Sequence, residues 1–350
     1  MATKIANAFD TTADAPTDRD WRVHPDEQAP DGGVGPIAGV LHGGHAATAK
    51  RIEVTFYALI KQGGGLIAIW YALTHTTGWV EWSGFALFYV LGILSMSLCY
   101  HRYFNHRAFE TSRPMQYILG IWGQLGAYGS LRNWCIDHRR HHGRSDRPGD
   151  VHSPHFDEYG RPISGRKGFR HSHLGWLWDD STTDPKIYGK GLIDDPVVTF
   201  CHHTRMFWFI ISFTLIPAAW GYYLGGPDKI LSTILIAGCL RMSLNLQFIA
   251  LVNSAGHTWG RQRFKGEGTS QNNWFIAILT LGEGWHNNHH AHPRAANAGM
   301  AWYEIDPTSW VIWVFEKLGL VWNVNRVKLA EVERAIGEAP ATETAEATAH

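Results

Sequence analysis

The chain has 350 residues, enough for one large domain or two small ones, and its 31 Lys+Arg balance 31 Asp+Glu, so no net field recruits nucleic acid or an acidic partner. Charged residues are only 18%, whereas 21 histidines and 17 tryptophans stand well above ordinary usage. Four cysteines (Cys99, Cys135, Cys201, Cys239) lie far apart with no C-x-x-C, which argues against a disulfide framework and a zinc knuckle.

Residues 1 to about 50 are rich in Asp, Pro, Gly and Thr and lack hydrophobic period, so a disordered lead is expected there. The first twenty residues hold no apolar core of the kind a cleavable signal peptide needs. From 51 to 330 the chain reads as one domain, with a disordered tail over 331–350.

Within that domain, Val54–Leu73 is apolar apart from Lys61, Gln62 and three glycines, and Phe85–Tyr100 is uncharged and runs straight into a histidine. Met206–Leu224 and Ile230–Val252 follow, the latter with Arg241 inside it. A span needs about 20 predominantly apolar residues, and all four stretches approach that length. Met115–Leu131 and Trp274–Leu281 are shorter or broken by glycine and read as interfacial or buried helices.

The links Thr74–Ser83 and Gly225–Lys229 are short and carry a single Lys or Arg, Lys229, whereas Arg102 to Arg205 carries 15. The positive-inside rule then places that stretch, both termini and the region after Val252 in the cytoplasm. The expected fold is an all-α integral membrane protein, with four transmembrane helices in two hairpins under a cytoplasmic helical cap.

Four histidine groups fall on the cap side: His101 and His106; His138, His141 and His142; His257, with Asn253; and His286, His289 and His290. On a helix, positions i, i+3 and i+4 share a face, so each H-x-x-H-H box aims three imidazoles one way. Asn253 and His257 are likewise i and i+4. His101 and His106 are five apart, about 140° round an ideal α-helix. The spacing therefore predicts that the helix ends or bends between them.

Nine imidazoles exceed the needs of one ion, so two metals sharing them is the economical reading. Imidazole suits zinc, copper, iron and nickel alike. Asn253 is a poor direct ligand and is better placed to hold a water. Single histidines elsewhere (His24, His42, His45, His75, His202, His203, His350) read as solvated or hydrogen-bonded; His292 is open. A pH-sensing cluster explains two such boxes poorly.

HRYFNHRAF, WCIDHRRHHGRSDRPGDVH, GFRHSHLGW, NSAGHTWG and GEGWHNNHHAHP, in that order, resemble the motifs of the membrane fatty-acyl desaturases of the stearoyl-CoA type. The similarity covers roughly residues 54 to 322. It implies a cone of four helices with two irons held by His101, His106, His138, His141, His142, His257, His286, His289 and His290, with Asn253 acting through a water. It also implies a narrow acyl tunnel with Trp134 in its wall and Asp137 near the substrate entrance.

Three positions depart from the pattern. Animal members carry Thr-Trp where this chain has Ile249 and Ala250, and Gln where it has Tyr128. The bend that places the double bond is therefore built differently.

The resemblance implies a non-haem di-iron, O2-dependent oxidoreductase that desaturates a long-chain acyl thioester, expected to be acyl-CoA with Δ9-like placement. Hydroxylation, or oxidative decarboxylation of a free acid to a terminal alkene, is the alternative on the same scaffold. The 28 residues after Trp322 are too few for a fused cytochrome b5, so electrons are expected from a separate ferredoxin-, rubredoxin- or cytochrome-type donor with an NAD(P)H reductase. A zinc hydrolase would need a carboxylate base near the last box, where only Glu283 is close. A transporter would pair polar residues at mid-membrane, where only Lys61 and Arg241 qualify.

Overall fold

The computed structural model describes residues 37–266, 268–330 and 332. The chain enters through a short strand, β1 (Val40–His42), and then α1 (Gly44–Thr74) and α2 (Trp79–Asn105) form the first hairpin. After β2 (Glu110–Thr111) come α3 (Arg113–Leu125), α4 (Leu131–Arg144), α5 (Gly165–His173) and β3 (Ser181–Thr183). The second hairpin is α6 (Pro196–Gly225) and α7 (Pro227–His257). The short α8 (Trp274–Leu279) and α9 (His286–Ala291), then α10 (Pro307–Lys317) and β4 (Val321–Trp322), complete the cap.

The four long helices run 27 to 31 residues. At 1.5 Å per residue that is about 40–46 Å, against a hydrocarbon core of about 30 Å. The helices are thus longer than a span requires, and His101, His106, Asn253 and His257 lie at or just past the C-terminal ends of α2 and α7. Half or more of the apolar windows of α2 and α7 is buried (50% and 56%), against 22% for α1 and for α6. The site therefore stands on the two inner helices. On the outer pair, Leu59, Leu66, Trp70, Leu73, Phe207, Ile210 and Leu215 are exposed, an apolar surface suited to lipid.

Local sequence explains where the cap helices begin. Ser112 and Ser130 accept hydrogen bonds from backbone N–H groups in the first turns of α3 and α4, as Asp195 does for α6 and Asp306 for α10. Proline opens α3, α6 and α10, where its missing N–H costs nothing. In α6 the helix breaks at Thr214, three residues before Pro217, whose ring is incompatible with an unbroken helical ladder.

One expectation needs correction, and a second is met in an unexpected way. Residues 37–50 belong to the folded domain and not to the lead. β1 pairs antiparallel with β3 (Val40 opposite Thr183), α1 starts at Gly44, and the buried Arg144 guanidinium donates to the Ala38 carbonyl at 2.8 Å. Such non-local pairing leaves no periodic signal in the lead. The expected tail lies outside the described residues, apart from Val332. The second concerns α2, which ends at Asn105, between His101 and His106 as expected, but in a widened form. From Ser95 to Asn105 it widens into a π-helix, whose i to i+5 hydrogen bonds stack residues five apart. The His106 N–H donates to the His101 carbonyl at 3.1 Å, so the five-residue spacing places both imidazoles on one face.

Candidate metal centre

The nine histidines converge as two groups. His101, His106, His138, His142 and His289 form one, and His141, His257, His286 and His290 the other; within each, the ligand atoms lie within 4.8 Å of one another. Each H-x-x-H-H box is thus divided: α4 gives His138 and His142 to the first group and His141 to the second, while α9 gives His289 to the first and His286 and His290 to the second. His257 arrives from a final tightened 3₁₀ turn at the end of α7.

In the first group the Nε2 atoms form a run: His101 to His289 2.9 Å, His289 to His142 2.9 Å, His142 to His138 3.0 Å and His138 to His106 3.1 Å. In the second, His257 to His286 is 2.9 Å, His286 to His290 3.0 Å and His290 to His141 3.2 Å. An imidazole nitrogen that carries a proton cannot also accept one, so such runs cannot satisfy themselves by hydrogen bonding. Burial, then neighbouring imidazoles, holds His138, His141, His286, His289 and His290 well below the ordinary histidine pKa, and His142 down at about 3. Neutral rings with converging lone pairs are what a cation requires.

The separations also bear on coordination. At a metal–imidazole bond of about 2.1 Å, adjacent donors stand about 3.0 Å apart in an octahedron and about 3.4 Å apart in a tetrahedron. The 2.9–3.2 Å between neighbouring nitrogens is the scale at which imidazoles share one ion.

Carboxylates fix the rings from behind. Asp150 meets His141 Nδ1 at 2.9 Å, Asp146 meets His257 Nδ1 at 2.8 Å, and Glu283 contacts His101 Nδ1. A proton held on Nδ1 turns the Nε2 lone pair toward the metal position. Asp146 also accepts from the Thr269 N–H at 2.7 Å and hydroxyl at 2.8 Å. Burial alone would raise the Glu283 carboxyl, but His101 and Arg102 hold it down at about 2. Tied also to the Ser97 hydroxyl, Glu283 is a brace for the cage, which removes the carboxylate base a hydrolase would have needed.

The residues between the histidines work too. The Asn287 side chain accepts from the backbone N–H groups of Arg263 and Phe264 at 2.7 Å each. Asn288 donates to the Ala298 carbonyl and to Glu304, both at 2.9 Å. Before this helix the chain turns through Leu281 and Gly282, both at positive φ (52° and 118°). At Gly282 a side chain would also strike Asp306.

Beside the cage runs a channel. Its inner chamber, about 600 Å³ counting space open to solvent, is lined by His101, His138, His141, His286, Asn253, Ile249, Trp134 and Asp137. It shares Trp134, Asp137, Ile249 and Asn253 with a larger cavity of about 1130 Å³ counting its open mouth, to which Tyr128 and Ala250 also contribute. All five residues singled out from the sequence as acyl contacts therefore border one space, and Asn253 faces it next to the second group. Trp134 stacks on His138 (4.6 Å between centroids, 14° between planes). Asp137 accepts from the Thr183 hydroxyl at 2.6 Å, and burial pushes its carboxyl up.

The sequence reading missed the bracing by Asp146 and Glu283, and also His152, which packs on His141 at 4.2 Å and borders the inner chamber. The available signal was acids inside an otherwise basic stretch, GRSDRPGD. The remaining histidines behave as ordinary ones: His42 stacks on Tyr159, His75 on Tyr71, and His202 contacts Ser130 and Arg132. His203 sits against His202, His45 is exposed, and His292 touches Phe264 outside both groups. His24 and His350 lie outside the described residues.

Known proteins point the same way. Residues 77–325 match the fatty acid desaturase family. The chain is 36% identical to a hex-5-enoyl-[acyl-carrier protein] acetylenase of Moorena producens, over 77% of this chain and 84% of that protein. It is 34% identical to an sn-1 stearoyl-lipid 9-desaturase of Anabaena variabilis, over 68% of this chain and 81% of the relative. It is 33% identical to a probable acyl-CoA desaturase of Schizosaccharomyces pombe, over 71% of this chain but half (50%) of that longer protein. With four helices of membrane-crossing length and a family match spanning most of the folded region, the chain belongs to the fatty acid desaturase family and is a membrane protein.

Proposed function

We propose that the protein desaturates a long-chain fatty acyl thioester, with acyl-CoA as the substrate and Δ9-like placement, and reduces O2 to water with two electrons from an external donor. The observation that carries this reading is the division of nine buried or half-buried imidazoles into two groups beside an open-mouthed channel. His101, His106, His138, His142 and His289 would hold one iron, and His141, His257, His286 and His290 the other, with Asn253 assisting the second through a water.

Two irons with O2 and two electrons supply an oxidant strong enough for an unactivated methylene, which has no acidity for a side-chain base to use. The protein's own residues supply position. Trp134, held flat on His138, forms a rigid wall that fixes the register of the chain against the cage. Ile249 and Ala250 shape the passage beneath it. Asp137, bonded by the Thr183 hydroxyl, lines the cavity together with Lys50.

The basic stretch between the hairpins supports a cytoplasmic cage and cytoplasmic termini. There a ferredoxin-, rubredoxin- or cytochrome-type carrier, kept reduced by an NAD(P)H reductase, would reach it. The identity with an acyl-carrier-protein acetylenase supports an acyl thioester and makes carrier protein the competing head group. Ile249 and Ala250 depart from the family pattern beside the channel, and hydroxylation or decarboxylation of a free acid on the same scaffold is the second reading.

Gas chromatography–mass spectrometry of lipids from cells expressing the protein tests the proposal. New unsaturated acyl chains are expected. Terminal alkenes or hydroxy acids without new unsaturated chains would overturn desaturation.

A further inference from the structure

The face of α1 that borders the channel changes character along its length. Lys50 and Glu53 lie toward the start of the helix, Val54 and Ala58 follow, and Lys61 and Gln62 lie deep in the span, at the far end of this face from the cap. From Glu53 to Lys61 the helix rises about 12 Å, so an apolar passage runs between two polar ends.

The inner end is poorly compensated. Lys61 is 4% exposed, and its ammonium donates to the Ala127 carbonyl and lies 5.5 Å and 5.6 Å from the Tyr57 and Tyr128 rings. An ammonium carries three donors, and one carbonyl and two ring faces leave it short of a counter-charge. The second buried cation within electrostatic reach is Arg241, which donates to the Ser212 carbonyl at 3.1 Å and hydroxyl at 3.0 Å. Among the described residues no carboxylate pairs with either. Glu53, on the same helix face, is held by Arg205 at 2.7 and 2.8 Å. The Gln62 oxygen accepts from Ser243 at 2.8 Å and Gln247 at 3.2 Å, while its buried amide nitrogen has no partner among the described residues. A buried cation within a membrane-spanning helix is expensive, and the usual occupant of such a position is a functional group. A methyl terminus pressed against this end would leave the ammonium unpaired, whereas a carboxylate would complete it.

We propose that the inner end of the channel binds a carboxylate carried on an alkyl chain, with Lys61 as its cation and Gln62 beside it. The proposal rests on the reading of the cavity as an acyl channel. Two sources supply that chemistry: the far carboxylate of an α,ω-dicarboxylic acyl thioester entering tail first, or the carboxylate of a free fatty acid entering head first.

The test is equilibrium binding to the purified, metal-loaded protein in nanodiscs, alongside product analysis. The probes are chains of ten to eighteen carbons: methyl-ended acyl-CoA, ω-carboxy acyl-CoA and free fatty acid. Either carboxylate probe should bind roughly tenfold or more tightly than the methyl-ended chain of equal length, the scale of one charge-assisted hydrogen bond. A preference for ω-carboxy acyl-CoA identifies the first source, and a preference for free acid the second. Lys61→Met should erase the preference in protein whose metal content and membrane insertion match the native form, and Lys61→Arg should keep it.

Equal or tighter binding of the methyl-ended chain by the native protein overturns the proposal and leaves the acyl channel standing. Persistence of the preference in a folded Lys61→Met protein overturns it as well. Failure of all three probes to bind removes the channel reading together with it.

Discussion

The cage and the channel sit side by side and are built in opposite ways. In the cage, ligands come from α2, α4, α7 and α9, and at least three rings are held from behind by carboxylates. Arg102, 3% exposed, ties the support together by bonding Glu283, Asp306 and the Ala296 carbonyl. The channel is bordered by one face of α1, parts of α7 and the loop before α4, and its polar atoms are incompletely paired. A ring held from behind by a carboxylate tolerates little change of position, whereas a wall of independent side chains can be altered one residue at a time. Chemistry should therefore be lost at the cage and redirected at the channel.

The largest effect is expected from His141→Ala. Product should fall below detection while the protein remains membrane-inserted, and bound metal should drop, as measured by mass spectrometry of the purified variant. Retained activity would remove His141 from the ligand set and break the contrast between the two regions.

Next come the braces. Asp146→Asn keeps the shape but withdraws the charge behind His257, and should weaken metal binding about 10- to 100-fold. A chelator competition titration would read it, and an unchanged midpoint would mean that the ring is fixed by packing alone.

At the channel, Ile249→Phe and Ala250→Phe should shorten the accepted chain or move the site of attack, with metal content unchanged. Unaltered product profiles from both would argue that the acyl chain does not pass there.

The smallest effect concerns pH. The cage histidines outside the spans titrate below the ordinary 6.5 in the folded protein. Below about pH 6.5 the unfolded chain binds more protons than the folded one, so stability of the metal-free protein should be flat above that pH and decline as pH falls beneath it. Thermal unfolding of chelator-treated protein between pH 8 and 5 checks this, and a midpoint that rises on acidification would contradict it.

These contrasts also explain what could be read from the sequence. The H-x-x-H-H boxes were legible because i, i+3 and i+4 is the period of a helix face, and the spans because length and hydropathy define them. The division of each box between two metal positions was not, since it depends on where α2 and α7 deliver their own histidines. The link from Asp146 to His257 crosses 111 positions and leaves no periodic trace. The π-helical widening of α2 was hidden for a different reason: the five-residue spacing contradicted an α-helix, and the helix adapted to the site. Residues 37–50 looked featureless because their order comes from pairing with β3 and from Arg144.

The central claim is that the nine histidines hold two irons. Metal analysis of the purified, active protein tests it most directly. The account predicts two irons per chain, one for each histidine group, with loss of iron and product together on chelation. Zinc in place of iron, or a single metal per chain in fully active protein, would contradict it.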